Sequence, residues 1–254
     1  MQNFQFKKIE SPENPRIKNL KKLGQKKFRK IENKFLVENF TTIKDAFDAG
    51  IQWEELFITG EILNKNKDFF DSIQDENIFL INERTNSHFS NLDTPSGICA
   101  IYAKEKRSHD KGPVVFLDNI KDPGNIGTIL RSALAFGYKN IVIGNTCAEL
   151  YNPKTIQASK DAIFKLNIYE NGDISWLKKT NLPIYATSSH KGISLKRLTP
   201  EKSYCLVFGS ETFGVRPEIL SLAEKNIKIE MKNEMESLNV AISASIIFYE
   251  LSER

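Results

Sequence analysis

A chain of 254 residues, 40% apolar and 27% charged, has an ordinary globular composition and the length for one large domain or two modest ones. No apolar run approaches the roughly 20 residues that cross a bilayer, and residues 1–10 lack the apolar centre of a signal peptide, so the cytoplasm is the expected compartment. Cys99, Cys147 and Cys205 suit neither a disulfide framework nor a CxxC metal pattern, and His88, His109 and His190 stand alone. The cysteines read as small core residues, and no bound metal is expected.

The net charge of +4 is unevenly spread. Residues 1–34 hold Lys7, Lys8, Arg16, Lys18, Lys21, Lys22, Lys26, Lys27, Arg29, Lys30 and Lys34 against only Glu10, Glu13 and Glu32. The remainder is mildly acidic. Such an arm attracts phosphate backbones through counterion release, without reading sequence; for an isolated lysine-rich helix a solvated face is the competing explanation. Ile17, Leu20, Leu23 and Phe28 add an apolar stripe that can dock the segment on a domain and leave its lysines outward.

From 35 to 103, apolar runs at 35–37, 56–58, 78–81 and 98–102 read as strands, with helices at 41–49 and 61–73 between them. That alternation predicts a small α/β sandwich. Residues 104–112 are polar throughout and mostly charged, which places a linker there between domains at 1–103 and 113–254. Beyond it, continuous apolar runs at 114–117, 141–143, 184–186, 205–208 and 227–231 predict a parallel sheet buried on both faces. Asn152-Pro153 supplies a cap and first turn for one of the intervening helices.

Three polar turns follow such strands and lead into helices, the place where open α/β sheets keep ligand sites. In Asp122-Pro123-Gly124-Asn125-Ile126-Gly127-Thr128-Ile129-Leu130-Arg131, the residues Ile126, Ile129, Leu130, Ala133 and Leu134 form one apolar stripe. Arg131 lies off that stripe. It is either a solvated side chain or an anion-binding one, since its planar fork suits phosphate. Val207-Phe208-Gly209-Ser210-Glu211-Thr212-Phe213-Gly214 has the GxxxxG spacing of a P-loop, but Val215-Arg216 stand where Lys-Ser/Thr is required. Its glycines either let a flat ligand lie against backbone or form a tight turn with a solvated Glu211. In Glu236-Ser237-Leu238-Asn239-Val240-Ala241, Ser237 can cap a helix with the buried stripe Val240, Ala244, Ile247, Phe248 and Leu251. Asn239 is a poor helix former in a first turn, which points beyond packing. The small residues Ala241, Ser243, Ala244 and Ser245 allow another helix to approach, from this chain or a second subunit.

Together these segments resemble, in order and across about residues 114–251, the motifs of the SpoU/TrmH-type RNA ribose 2′-O-methyltransferases of the SPOUT class. Ser11-Pro12-Glu13-Asn14-Pro15-Arg16-Ile17-Lys18 and Phe35-Leu36-Val37-Glu38 resemble the ribosomal-protein-like RNA-binding domain that many of these enzymes carry, with Asn39 where Gly is usual. The resemblance implies an α/β chain: a small RNA substrate-binding domain, then a parallel-sheet domain with a deep trefoil knot. The knotted domain would bind S-adenosylmethionine and pair as a homodimer. The substrate implied is RNA, ribosomal RNA ahead of tRNA. Asn125, Arg131, Glu211, Ser237 and Asn239 match the family's polar catalytic set, and Gly209, Ile229 and Leu238 its cofactor-binding positions. The sequence departs at Glu230, where Pro is usual, and at Thr212-Phe213, where a Gly is common; both lie on cofactor-binding loops. Arg131 is implied as the base or, because guanidinium stays protonated, as a phosphate clamp. The alternative reading is a non-catalytic RNA-binding or ribosome-assembly protein that keeps the knotted fold.

Overall fold

The computed structural model describes residues 6–73, 75–105, 108, 110–189, 191–232 and 237–252. Glu236 of the third segment, Lys106, Arg107 and His109 of the charged stretch, and His190 lie outside the described residues. The chain separates into two compact units, Met1–Glu105 and Lys106–Arg254.

The first unit is built on β1 (Lys7–Ile9), β2 (Lys34–Val37), β3 (Glu55–Thr59), β4 (Ile78–Ile81) and β5 (Ile98–Ala103). They form a mixed sheet in the order β1-β4-β3-β5-β2. The first three in that order run parallel, and β5 is antiparallel to both of its neighbours. The helices are α1 (Pro15–Leu23), α2 (Lys26–Glu32), α3 (Phe40–Asp48), α4 (Gly60–Lys65), α5 (Lys67–Asp71) and α6 (Glu83–Phe89). Asn14 accepts a hydrogen bond from the Arg16 amide and Pro15 pre-sets the first turn of α1. That helix then buries Ile17, Leu20 and Leu23 completely, in one cluster with Leu36, Phe57 and Phe79.

The structure revises the N-terminal expectations. The basic arm is a strand and two helices: β1 pairs with β4 at the sheet edge, and α1 and α2 are separated at Gly24-Gln25. Arg29 belongs to the interior: it is 3% exposed and its Nη1 donates to the Leu23 carbonyl at 2.8 Å. Phe28 is half-buried. Residues 61–73 form two helices, because Asn66 leaves helical geometry (φ −123°, ψ 37°) and its amide donates to the Ile62 carbonyl. Asn39 caps α3 by accepting from the Thr42 amide at 2.9 Å, a role that Gly cannot fill with a side chain.

The second unit holds β6 (Val114–Leu117), β7 (Asn140–Gly144), β8 (Asn167–Gly172), β9 (Ile184–Thr187), β10 (Ile193–Ser194), β11 (Cys205–Phe208) and β12 (Lys225–Lys228). All are parallel, in the order β10-β12-β9-β11-β6-β7-β8. Its helices are α7 (Pro123–Ala135), α8 (Pro153–Ser159), α9 (Ala162–Lys165), α10 (Ile174–Lys179), α11 (Pro217–Leu220) and α12 (Val240–Ser252). The chain twice re-enters its own sheet: β11 inserts between β6 and β9, and β12 between β9 and β10. The final helix α12 returns to α7, where the Ser132 and Ser245 hydroxyls hydrogen-bond at 2.7 Å. Phe248 packs on Tyr138 and Phe208. Beneath it the Tyr138 and Tyr204 hydroxyls pair at 2.8 Å, and burial raises both phenols above their ordinary pKa.

Two of the seven strands carried no buried-strand pattern: β8 is polar and largely half-exposed, and β10 has two residues. The run expected at 227–231 pairs over Lys225–Lys228 instead, because its partner β9 ends at Thr187 opposite Ile227. Ile229 and Met231 therefore belong to the segment after the strand. Leu134 is half-buried, unlike the rest of the α7 stripe. Cys99 and Cys205 are core residues, whereas Cys147 is half-buried and its thiol donates to the Leu117 carbonyl. No helix among the described residues is long and apolar enough to cross a membrane.

Candidate active site

The first polar turn is organised by Asp122, which caps α7 by accepting from the Asn125 amide at 2.7 Å, with Pro123 in the first turn. Ile126, Ile129, Leu130 and Ala133 are fully buried. Gly127 joins them, because a Cβ there would lie 2.5 Å from the Thr155 carbonyl oxygen and 2.6 Å from Ala158 Cβ. Only glycine lets α7 pack this closely on α8. The consequence is a firmly seated helix whose first turn presents Asn125.

In the second turn the glycines serve a tight turn of the chain. A Cβ on Gly209 would lie 2.1 Å from backbone atoms of Gly214 and Val215, so the chain itself, rather than a ligand, fills that space. Ser210 and Gly214 exchange backbone hydrogen bonds at 3.1 and 2.8 Å, and Gly214 has φ +67°. Past this loop, Asp118 is completely buried at the end of β6. Its Oδ2 accepts from the Arg216 amide at 3.0 Å and its Oδ1 from Arg216 Nε at 2.8 Å. The pair anchors the second turn to the strand that leads into the first. Sequence reasoning missed Asp118, and the apolar run before it that ends in a lone carboxylate was the available signal.

At the third turn Asn239, not Ser237, caps α12: its Oδ1 accepts from the Ala241 amide at 2.9 Å and the Ile242 amide at 3.3 Å. Asn239 Nδ2 donates to Asn125 Oδ1 at 3.1 Å, and Asn125 Nδ2 donates to Glu211 Oε1. Glu211, Asn125 and Asn239 thus form a continuous polar chain that joins all three turns. Each amide uses both ends, so the orientation of all three groups is fixed.

Beside the chain lies a cavity of about 410 Å³ at the carboxyl ends of β9, β11 and β12. Glu211, Ser237, Gly209, Ile229 and Leu238 line it, as do Thr212 and Phe213. Glu230 is exposed and outside that lining. Arg131 is not brought to the cavity: it is exposed on α7 and outside the lining, six residues or about 9 Å of helix rise past Asn125. The small residues of α12 serve the chain's own packing, since Ala241 and Ala244 are buried and Ser245 bonds to Ser132. Among the described residues no cluster of three His, Cys, Asp or Glu side chains is arranged to hold a metal.

A parallel sheet with two strand-end turns lining one cavity, and a third tied to them through Asn125, defines an α/β protein with a ligand site of the open-sheet type. The model of the SpoU rRNA Methylase family matches residues 112–249, and that of the MRM3-like substrate binding domain matches residues 14–100. The chain belongs to the SpoU rRNA Methylase family. It is 30% identical to the 23S rRNA (guanosine(2553)-2'-O)-methyltransferase RlmP of Bacillus subtilis (strain 168), across 97% of this chain and 99% of that one. The crystal structure of an RNA 2'-O ribose methyltransferase matches with a TM-score of 0.80 at 28% identity, covering 96% of this chain and 97% of the other. The AdoMet-bound rRNA methyltransferase from Sinorhizobium meliloti shares the fold, with a TM-score of 0.84 at 24% identity over 98% of each chain.

Proposed function

We propose that this protein transfers a methyl group from S-adenosylmethionine to the 2′-hydroxyl of a ribose in RNA, and that the RNA is ribosomal. The observation that carries the reading is the Glu211–Asn125–Asn239 chain set against the cavity. The cavity suits an adenosyl group: its volume is that of a small-molecule site, with apolar Ile229, Leu238 and Ile247 beside the hydroxyls of Thr187 and Ser237. When bound, the sulfonium supplies an electrophilic methyl group. Gly209, Ile229 and Leu238 hold the cofactor. Glu211, fixed by Asn125, accepts a hydrogen bond from the ribose hydroxyl, orients it and takes its proton as the oxygen bonds to the methyl carbon and the methyl–sulfur bond breaks; such alignment is worth roughly several kcal/mol. Arg131, exposed on α7, grips a phosphate of the RNA, because its guanidinium stays protonated and its planar fork suits phosphate. Ser237 closes the wall on the ribose side.

Residues 1–103 take the RNA substrate-binding role and 113–254 the transferase role, joined by the linker 104–112. The family-model match to residues 14–100 supports the first assignment. Lys104 still bonds to Asn33, whereas Asp110 bonds to Asn140, so the ends of the linker belong to different units. A trefoil knot in the second unit is supported by the two re-entries into the sheet and the return of α12 to α7. A homodimer is supported by an exposed apolar stripe on α12, where Ile242, Ile246 and Tyr249 are 53%, 37% and 51% exposed. The protein works in the cytoplasm. No observed feature favours the non-catalytic alternative.

Calorimetry with S-adenosylmethionine, S-adenosylhomocysteine and ATP tests the assignment. Both adenosyl ligands are expected to bind and ATP is not, whereas ATP binding alone would contradict it.

A further inference from the structure

Phe213 is 82% exposed, more than any other large apolar side chain among the described residues. It has no aromatic or cationic partner among the described residues. Its backbone is nevertheless held tightly. The Phe213 amide donates to Ser210 Oγ at 3.2 Å, Ser210 and Gly214 close the loop reciprocally, and Arg216 ties the far end to buried Asp118. The ring therefore stands in water from a stiff base. It lines the edge of the cavity, two residues after Glu211 on the same loop.

An A-form helix stacks its bases inside, so an RNA nucleotide read by a protein pocket is usually unstacked and needs a new surface for its exposed ring. A rigid, solvent-facing aromatic meets that need for any base, because every base has a π-face. We infer that Phe213 is the stacking platform for the unpaired nucleobase of the nucleotide whose ribose lies at Glu211. The inference rests on the RNA-methylation reading and adds a nucleobase subsite to it.

The test compares wild type, Phe213→Ala and Phe213→Trp as full-length proteins. Methyl transfer to an unmodified large-subunit ribosomal RNA transcript, filter binding of that RNA, S-adenosylmethionine affinity and mass by light scattering are measured for each. Phe213→Ala is expected to raise the KM and Kd for RNA about 10- to 100-fold, and Phe213→Trp to restore both. Mass and melting temperature should stay near wild type, and any change in cofactor affinity should be far smaller than the change in the RNA KM and Kd. An unchanged RNA KM and Kd overturns the platform. So does a loss confined to cofactor affinity, which assigns the ring to the cofactor, or a fall in mass, which assigns it to a subunit interface. A wild type that binds the RNA in a Phe213-dependent way yet transfers no methyl refutes the methylation reading and leaves the platform standing.

Discussion

Arg131 and Asp118 lie on opposite sides of the same question, since one is exposed and outside the cavity while the other is buried and touches only protein. Arg131→Ala should leave melting temperature and cofactor affinity near wild type, because the side chain adds nothing to the α7 core. Methyl transfer should fall by about 100-fold or more, the scale for losing a charge-stabilising donor. Arg131→Lys should recover little if the planar fork is what grips phosphate. Single-turnover methylation alongside thermal melting reads both, and near-normal turnover by the alanine variant removes the role. Asp118→Ala strands the Arg216 amide and should cost about 1–3 kcal/mol of stability. It should also raise the KM for S-adenosylmethionine through the loosened loop. Denaturant melts and steady-state kinetics check this, and an unchanged KM would reduce the pair to a stabilising one. Glu211, Asn125 and Asn239 were legible as polar residues at strand ends. Their mutual hydrogen bonds, and the cap that Asn239 provides, depend on which strands are neighbours, and local sequence does not encode that.

Helices and strands that bury one continuous apolar run were readable from sequence, as β6, β11, α7 and α12 demonstrate. Elements defined by long-range pairing were not. β1 is three residues at a sheet edge, β8 is polar, and β12 slides to the register that β9 permits. In the basic arm the stripe Ile17, Leu20 and Leu23 docks as its spacing predicts, whereas strand β1 and the break at Gly24-Gln25 were not legible. Removing residues 1–34 would strip Ile17, Leu20 and Leu23 from the first unit and unfold it. Substituting the exposed lysines is the sounder test of RNA contact. Lys21, Lys22, Lys26, Lys27 and Lys30 changed together to Gln should flatten the salt dependence of RNA binding. Each lost phosphate contact lowers the log–log slope by roughly 0.7 to 0.9. Filter binding across a salt series measures it, and an unchanged slope returns these lysines to a solvated surface.

At the scale of the whole molecule, the exposed stripe on α12 predicts a closed two-fold dimer, the commonest soluble assembly. Ala244 is fully buried within the chain, so a charge there tests folding rather than assembly. Ile242→Glu with Ile246→Glu should instead give folded single chains by light scattering, where the wild type gives the mass of two. A wild type of one-chain mass at micromolar concentration contradicts the dimer. The central claim, methylation of a ribose 2′-hydroxyl in ribosomal RNA, is tested most directly by mapping 2′-O-methyl groups. Unmodified ribosomal RNA would be incubated with the protein and S-adenosylmethionine, then compared with the same RNA incubated with Glu211→Gln. The account predicts one or a few new 2′-O-methyl positions that appear with the wild type and are strongly reduced with the variant. Methyl groups found only on bases, or no methyl transfer to ribosomal RNA at all, would contradict it.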